Sequence, residues 1–159
     1  MTTIPTKRLA LEISASAGLV IVAAFLPLGE VDFSKMSARF GSELDDGFNQ
    51  MFASFGNVPV TVWNGHANIS GIKLPNILVV LAAIAAVVLV WLKTMSAWKG
   101  RTAVLAGLAA YGLAHSCYVL VYLVVSAEGA ARLGIYLSTL GFTWMLFAVL
   151  RPKQPREPE

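Results

Sequence analysis

Four stretches of the chain are apolar for long enough to cross a hydrocarbon core, which takes about 20 residues as a helix. They cover residues 9–28, 76–92, 102–126 and 133–150. Only Glu12 and a few serines interrupt the first, and the second is almost pure Ala, Val, Leu and Ile. A backbone in lipid must satisfy its own hydrogen bonds, so each run predicts a helix. The expected fold is an all-α membrane protein, a four-transmembrane-helix bundle formed as one domain by residues 1–150. Residues 151–159 are rich in proline and charge and read as a disordered tail.

Between the first two runs, residues 29–75 form a connection too long to lack structure of its own. Phe48, Met51, Phe52 and Phe55 recur at the spacing of one helix face, and Phe33, Met36 and Phe40 repeat that pattern upstream. Two short helices are expected there. Val58–Trp63 and Ala67–Ile72 flank Asn64-Gly65, which predicts a β-hairpin. The connection therefore reads as a small folded cap. Its Phe/Met face either packs on the bundle and the membrane interface or, together with Trp63, forms a partner-binding surface. His66 beside the turn reads as a solvent-exposed loop residue. Glu43, Asp45 and Asp46 lack the spacing of a calcium loop, and no metal-ligand set is apparent.

Composition sharpens this picture. The chain is 57% apolar and 13% charged, with mean hydropathy +0.68, far from the balance of a water-soluble domain. Basic residues set the orientation. Lys7 and Arg8 precede the first run, Lys93, Lys99 and Arg101 follow the second, and Arg151, Lys153 and Arg156 follow the fourth. Both termini are thus expected on the cytoplasmic side and the cap outside. Residues 25–30 lack a clean small-x-small cleavage site, so the first run reads as a retained span rather than a signal peptide. The layout is similar in topology to claudin-type proteins. The first loop, however, carries Trp63-Asn-Gly and no cysteine in place of that family's Trp and paired-Cys signature. The single Cys117 excludes an intrachain disulfide.

The third and fourth runs hold the candidate chemistry. Tyr111, His115, Tyr118 and Tyr122 fall within roughly 60° of arc on one helix, and Arg132, Tyr136, Thr139 and Thr143 do the same on the next. Counted outward from the turn near Gly129, Tyr122 would meet Tyr136, Tyr118 would meet Thr139 and His115 would meet Thr143. Arg132 would pair with Glu128. Such a seam serves as interhelical glue or as a ligand-binding row, with His115 the one ionisable group near mid-span.

No catalytic constellation is visible, and the sequence specifies no cofactor. The expected role is a non-catalytic integral membrane subunit, multi-pass in the cytoplasmic (plasma) membrane. Its expected partners are the lipid bilayer and either further copies of itself or a larger membrane complex, with no nucleic acid. The alternatives are a small transporter or channel subunit using the Tyr/His/Thr seam, or a redox, pigment- or quinone-binding subunit contacting its ligand through His115.

Overall fold

The structure, a computed structural model, describes residues 6–32, 56–69, 72–95, 102–125 and 129–151. The protein is mostly helical. Helices α1 (Thr6–Ala24), α2 (Ile77–Thr94), α3 (Thr102–Val125) and α4 (Leu133–Leu150) alternate with strands β1 (Gly29–Asp32), β2 (Asn57–Val60), β3 (His66–Ile69), β4 (Ile72–Pro75) and β5 (Gly129–Ala131). Helices α2, α3 and α4 are long and apolar enough to cross a membrane. This marks an integral membrane protein. Helix α1 is not in that set, because Lys7, Arg8 and Glu12 occupy its first two turns.

The helix bounds follow local chemistry. Helix α1 ends four residues before the apolar run does. Phe25 and Leu26 bond back to the carbonyls of Val22 and Ala23 at 3.1 Å, tightening the last turn. Pro27 then supplies no N–H and pushes its predecessor toward extended backbone. Pro75 closes β4 just before α2 begins at Ile77. Arg151 caps α4, its N–H bonding the Phe147 carbonyl at 2.9 Å, and Pro152 follows in the sequence.

Helix α1 packs between α2 and α4, and α3 closes the bundle against the same two. The inner stripe of α1 is Leu9, Ala10, Ile13, Ala17 and Val20. It meets Val79, Ala83, Ala86 and Val90 of α2 and Phe142 and Met145 of α4. Small residues let the backbones approach, which matters in lipid because apolarity alone does not draw two helices together. Gly112 shows how close the fit is: a Cβ there would strike the Phe142 ring. At the basic end, the Trp91 indole donates to Ser14 at 3.1 Å and Lys93 donates to Thr102 at 3.2 Å. Glu12 sits between Arg8 at 3.0 Å and Arg151 at 3.4 Å, so the two described chain ends meet there.

The opposite end carries two small sheets. The first has the order β2-β1-β5, with both pairings antiparallel, and the second pairs β3 with β4. This corrects the expected hairpin at Asn64-Gly65. The strands on its two sides take different partners: β2 joins β1, and β3 joins β4 with Ile69 opposite Ile72. Thr61–Gly65 instead forms a tight turn, with the Gly65 N–H on the Thr61 carbonyl at 3.2 Å. The Asn64 amide oxygen accepts from both the Thr61 N–H at 2.7 Å and its hydroxyl at 3.0 Å. Asn64 thus folds inward on its own loop rather than serving a hairpin. Strands β1 and β5 replace what the sequence suggests is plain connection. The expected amphipathic helices, including Phe48, Met51, Phe52 and Phe55, and the tail beyond Arg151 lie outside the described residues.

The sheet is joined directly to the helices. Leu28 donates to the Val60 carbonyl at 2.8 Å and accepts from the Arg132 N–H at 2.9 Å. The Gly134 N–H, in the first turn of α4, reaches the Pro27 carbonyl at 3.2 Å. A second apolar cluster forms where sheet and helices meet, built from Leu28, Val62, Ala67, Val119, Leu123 and Ile135.

Candidate functional site

Two polar features lie near that junction, and helix α3 contributes to both. The first is a buried layer between the two apolar clusters. Asn76 precedes α2 but does not cap it with its side chain. Its amide nitrogen points to the Thr61 carbonyl at 3.5 Å, and its amide oxygen lies 3.0 Å from Nε2 of His115. A carbonyl can only accept, so the Thr61 end fixes which way the amide faces. Asn76 Oδ1 then faces His115, and Nε2 must carry the proton. Nδ1 is left as a buried lone pair with no hydrogen-bond partner among the described residues. Asn76 and His115 are 2% and 4% exposed. Ser116 and Ser138 face each other at 3.0 Å, the buried polar contact between α3 and α4.

This arrangement depends on Gly65. Its carbonyl accepts the Asn76 N–H at 3.0 Å. A Cβ on Gly65 would strike the Asn76 amide nitrogen and approach Val60 Cγ1 to 2.8 Å. The Asn64-Gly65 pair that suggests a hairpin therefore has another role. Asn64 folds the loop, and Gly65 makes room for the amide that holds His115.

The expected seam differs from this in detail. His115 meets Asn76 at the start of α2, not Thr143. Thr143 and Thr139 turn their hydroxyls back to the carbonyls of Thr139 and Ile135, each at 2.8 Å. Arg132 pairs with Glu30 of β1 at 2.6 Å, while Glu128 lies outside the described residues. The Glu30 hydrogen bond, and then its charge, raises the Arg132 pKa above the ordinary arginine value. The stabilisation is complete below the unfolded arginine value and is lost only as pH rises through the raised one, so the arginine stays charged across the neutral range.

Tyr111, Tyr118, Tyr122 and Tyr136 are exposed on the outside of the bundle. The Tyr111 ring is tilted beside His115, with centroids 6.0 Å apart. Among the described residues the structure brings His115 together with Tyr111, and it sets Tyr118 and Tyr122 along a separate groove. Sequence reasoning missed Asn76, Ser116 and Ser138. A lone Asn at the start of a helix that is apolar until Lys93 is the available signal for the first. The two serines resemble ordinary small residues of a membrane helix.

The groove is the second feature. It has a volume of about 510 Å³ and runs between the cap and α3. Val31 of β1, Val60 of β2, Asn64 of the turn, His66 of β3, and Tyr118 and Tyr122 of α3 line it. A much smaller cavity of about 10 Å³ lies beneath, bordered by His115, Ser116 and Ser138. Ligand pockets run to roughly 300–1,000 Å³, so the groove has the space for a ligand and the lower cavity does not. Near the same end, Trp63 is 59% exposed and its ring lies 6.1 Å from that of Phe25.

Comparison of the sequence with models of protein families, and of the chain with curated proteins and with solved structures, finds no match.

Proposed function

We propose that this chain is a small non-catalytic subunit of the cytoplasmic (plasma) membrane that assembles with itself or with a larger membrane complex. One observation carries the proposal. Each of the five buried polar side chains among the described residues, Ser16, Asn76, His115, Ser116 and Ser138, hydrogen-bonds within the chain. The bundle interior around them is filled by apolar side chains. The Asn76–His115 and Ser116–Ser138 contacts join separate elements, Ser16 bonds its own helix at the Ile13 carbonyl, and a single lone pair, His115 Nδ1, is no set of groups for a substrate. What remains for other molecules is the outer surface and the cap, including the exposed pair Phe25 and Trp63.

In this proposal all four helices cross the membrane, with both chain ends on the basic side. Helix α1 supports it despite its charges. Its 19 residues give about 28 Å of length, close to the thickness of a hydrocarbon core. Its inner face is buried between α2 and α4 along that length. Lys7, Arg8 and Glu12 lie in its first two turns, where Arg8 and Arg151 partner the carboxylate. Lys93 and Arg151 mark the same end, and Glu30 and Asp32 lie in the sheet at the other.

Native mass spectrometry on protein extracted gently from its own membrane tests the assembly. A ladder of identical chains, or one further polypeptide in fixed ratio, is the expected result. A bare single chain at every extraction condition overturns it.

A further inference from the structure

We propose that the groove between the cap and α3 binds a neutral, flat, ring-bearing molecule of the lipid phase, of the quinone class, with Tyr118, Tyr122 and His66 as its contacts. This goes beyond membership of an assembly and holds whether or not the chain assembles.

Charge comes first. None of the described residues lining the groove is Asp, Glu, Lys or Arg. An ionic ligand would lose its hydration there and meet no counter-charge among these residues. Hydrogen bonding narrows the class further. Asn64 and Asn76 both line the groove, but both amides are already committed. Asn64 Oδ1 accepts from Thr61, and its Nδ2 donates to the Pro59 carbonyl at 3.1 Å. Asn76 bridges His115 and Thr61. Among the described lining residues, the His66 imidazole and the Tyr122 hydroxyl are each able to donate to a ligand. A quinone carries two carbonyl acceptors and no donor, which matches that pair.

Shape agrees with this. Tyr118 and Tyr122 stand one helical turn apart on the same face, so two aromatic rings flank one wall. A flat ring stacks or tilts favourably against such rings. Val121 and Val125 fall within about 60° of Tyr118 around α3, and both are exposed. The tyrosine face therefore continues into the lipid-facing surface, along which an apolar tail would lie. The quinone contact moves from His115, whose Nε2 is held by Asn76, to residues with a ligand-sized space beside them.

The full chain in lipid nanodiscs is titrated with a decyl-tailed benzoquinone, and binding is followed by quenching of tryptophan fluorescence. Saturable binding of one molecule per chain is expected. Tyr122→Leu and His66→Ala should each weaken it about tenfold, as expected for loss of one ring contact or one hydrogen bond. Tyr136→Leu, on α4 outside the groove, should leave it unchanged. Thermal unfolding without ligand confirms that each variant is folded. Should Tyr122→Leu not fold, Tyr122→Phe keeps the ring and tests the hydroxyl alone. Quenching that scales only with lipid content, affinity indifferent to both groove variants, or equal displacement by decanol overturns the proposal.

Discussion

Helix α3 carries polar side chains with two different fates. His115 and Ser116 are buried and bonded to other helices or their caps. Tyr111, Tyr118 and Tyr122 belong to the same span and are exposed. The boundary between the groups is narrow. The buried residues of α3, from Leu105 to Leu123, cover about 120° of arc, with His115 at one edge and the tyrosines just beyond it. In water an apolar stripe identifies the inward face. In lipid both faces are apolar, and close packing decides instead. Leu105, Ala109 and Gly112 pack inward, and the larger tyrosine rings stay outside.

If the buried layer is structural and the tyrosine row is not, variants in the two groups should separate by size of effect. The largest loss is expected for Asn76→Ala, which strands the His115 N–H and leaves the Thr61 carbonyl to the Gly65 N–H alone. A buried unsatisfied group costs about 1–3 kcal/mol, so a loss of about 3 kcal/mol should appear in reversible denaturation in mixed micelles. An effect under about 0.5 kcal/mol, the range of ordinary surface substitutions, would erase the distinction. Next comes Gly65→Ala, at about 1–3 kcal/mol from overpacking against Asn76 and Val60. In the Gly65→Ala/Asn76→Ala double variant the two losses should sum to less than their parts, because both disturb one contact.

The serine pair should register more weakly. A Ser116→Ala/Ser138→Ala cycle is expected to give a coupling of about 0.6 kcal/mol, typical of hydrogen bonds between membrane helices. Zero coupling would place that contact outside the stabilising layer. Smallest of all, Tyr111→Phe and Tyr136→Phe should stay within about 0.5 kcal/mol of the parent. A larger loss at Tyr136 would mean that its hydroxyl is held, and the contrast between the two groups would fail.

The helices are legible in the sequence because a long apolar run in lipid must bond its own backbone, and a helix does so within one segment. Helix α4 starts and ends where its apolar run does. The run in α1 overshoots the helix, because hydropathy continues through Phe25 to Leu28 while the backbone turns at Phe25 and Leu26, just ahead of Pro27. The sheet is less legible. Gly129–Ala131 has no strand propensity to speak of and becomes β5 only because β1 lies alongside it. Val58 and Val60 do alternate as a strand, but pattern cannot name a partner, and theirs lies upstream in β1 rather than across Asn64-Gly65. At the site, His115 stands out as a mid-span ionisable group, whereas its partner Asn76 lies far away in sequence. Periodicity groups His115 with the tyrosines correctly as an arc. It does not tell which edge of that arc faces inward.

Strand β1 also constrains the order of events during synthesis. It is the central strand, yet β2 ends at residue 60 and β5 at residue 131. A nascent chain that has emerged only through α3 holds β1 with one edge open, and an unpaired edge is a template for pairing with the wrong chain. The sheet closes only when the start of α4 arrives, bringing Arg132 to Glu30 and Gly134 to Pro27. Helix α4 is thus the element that seals the first loop.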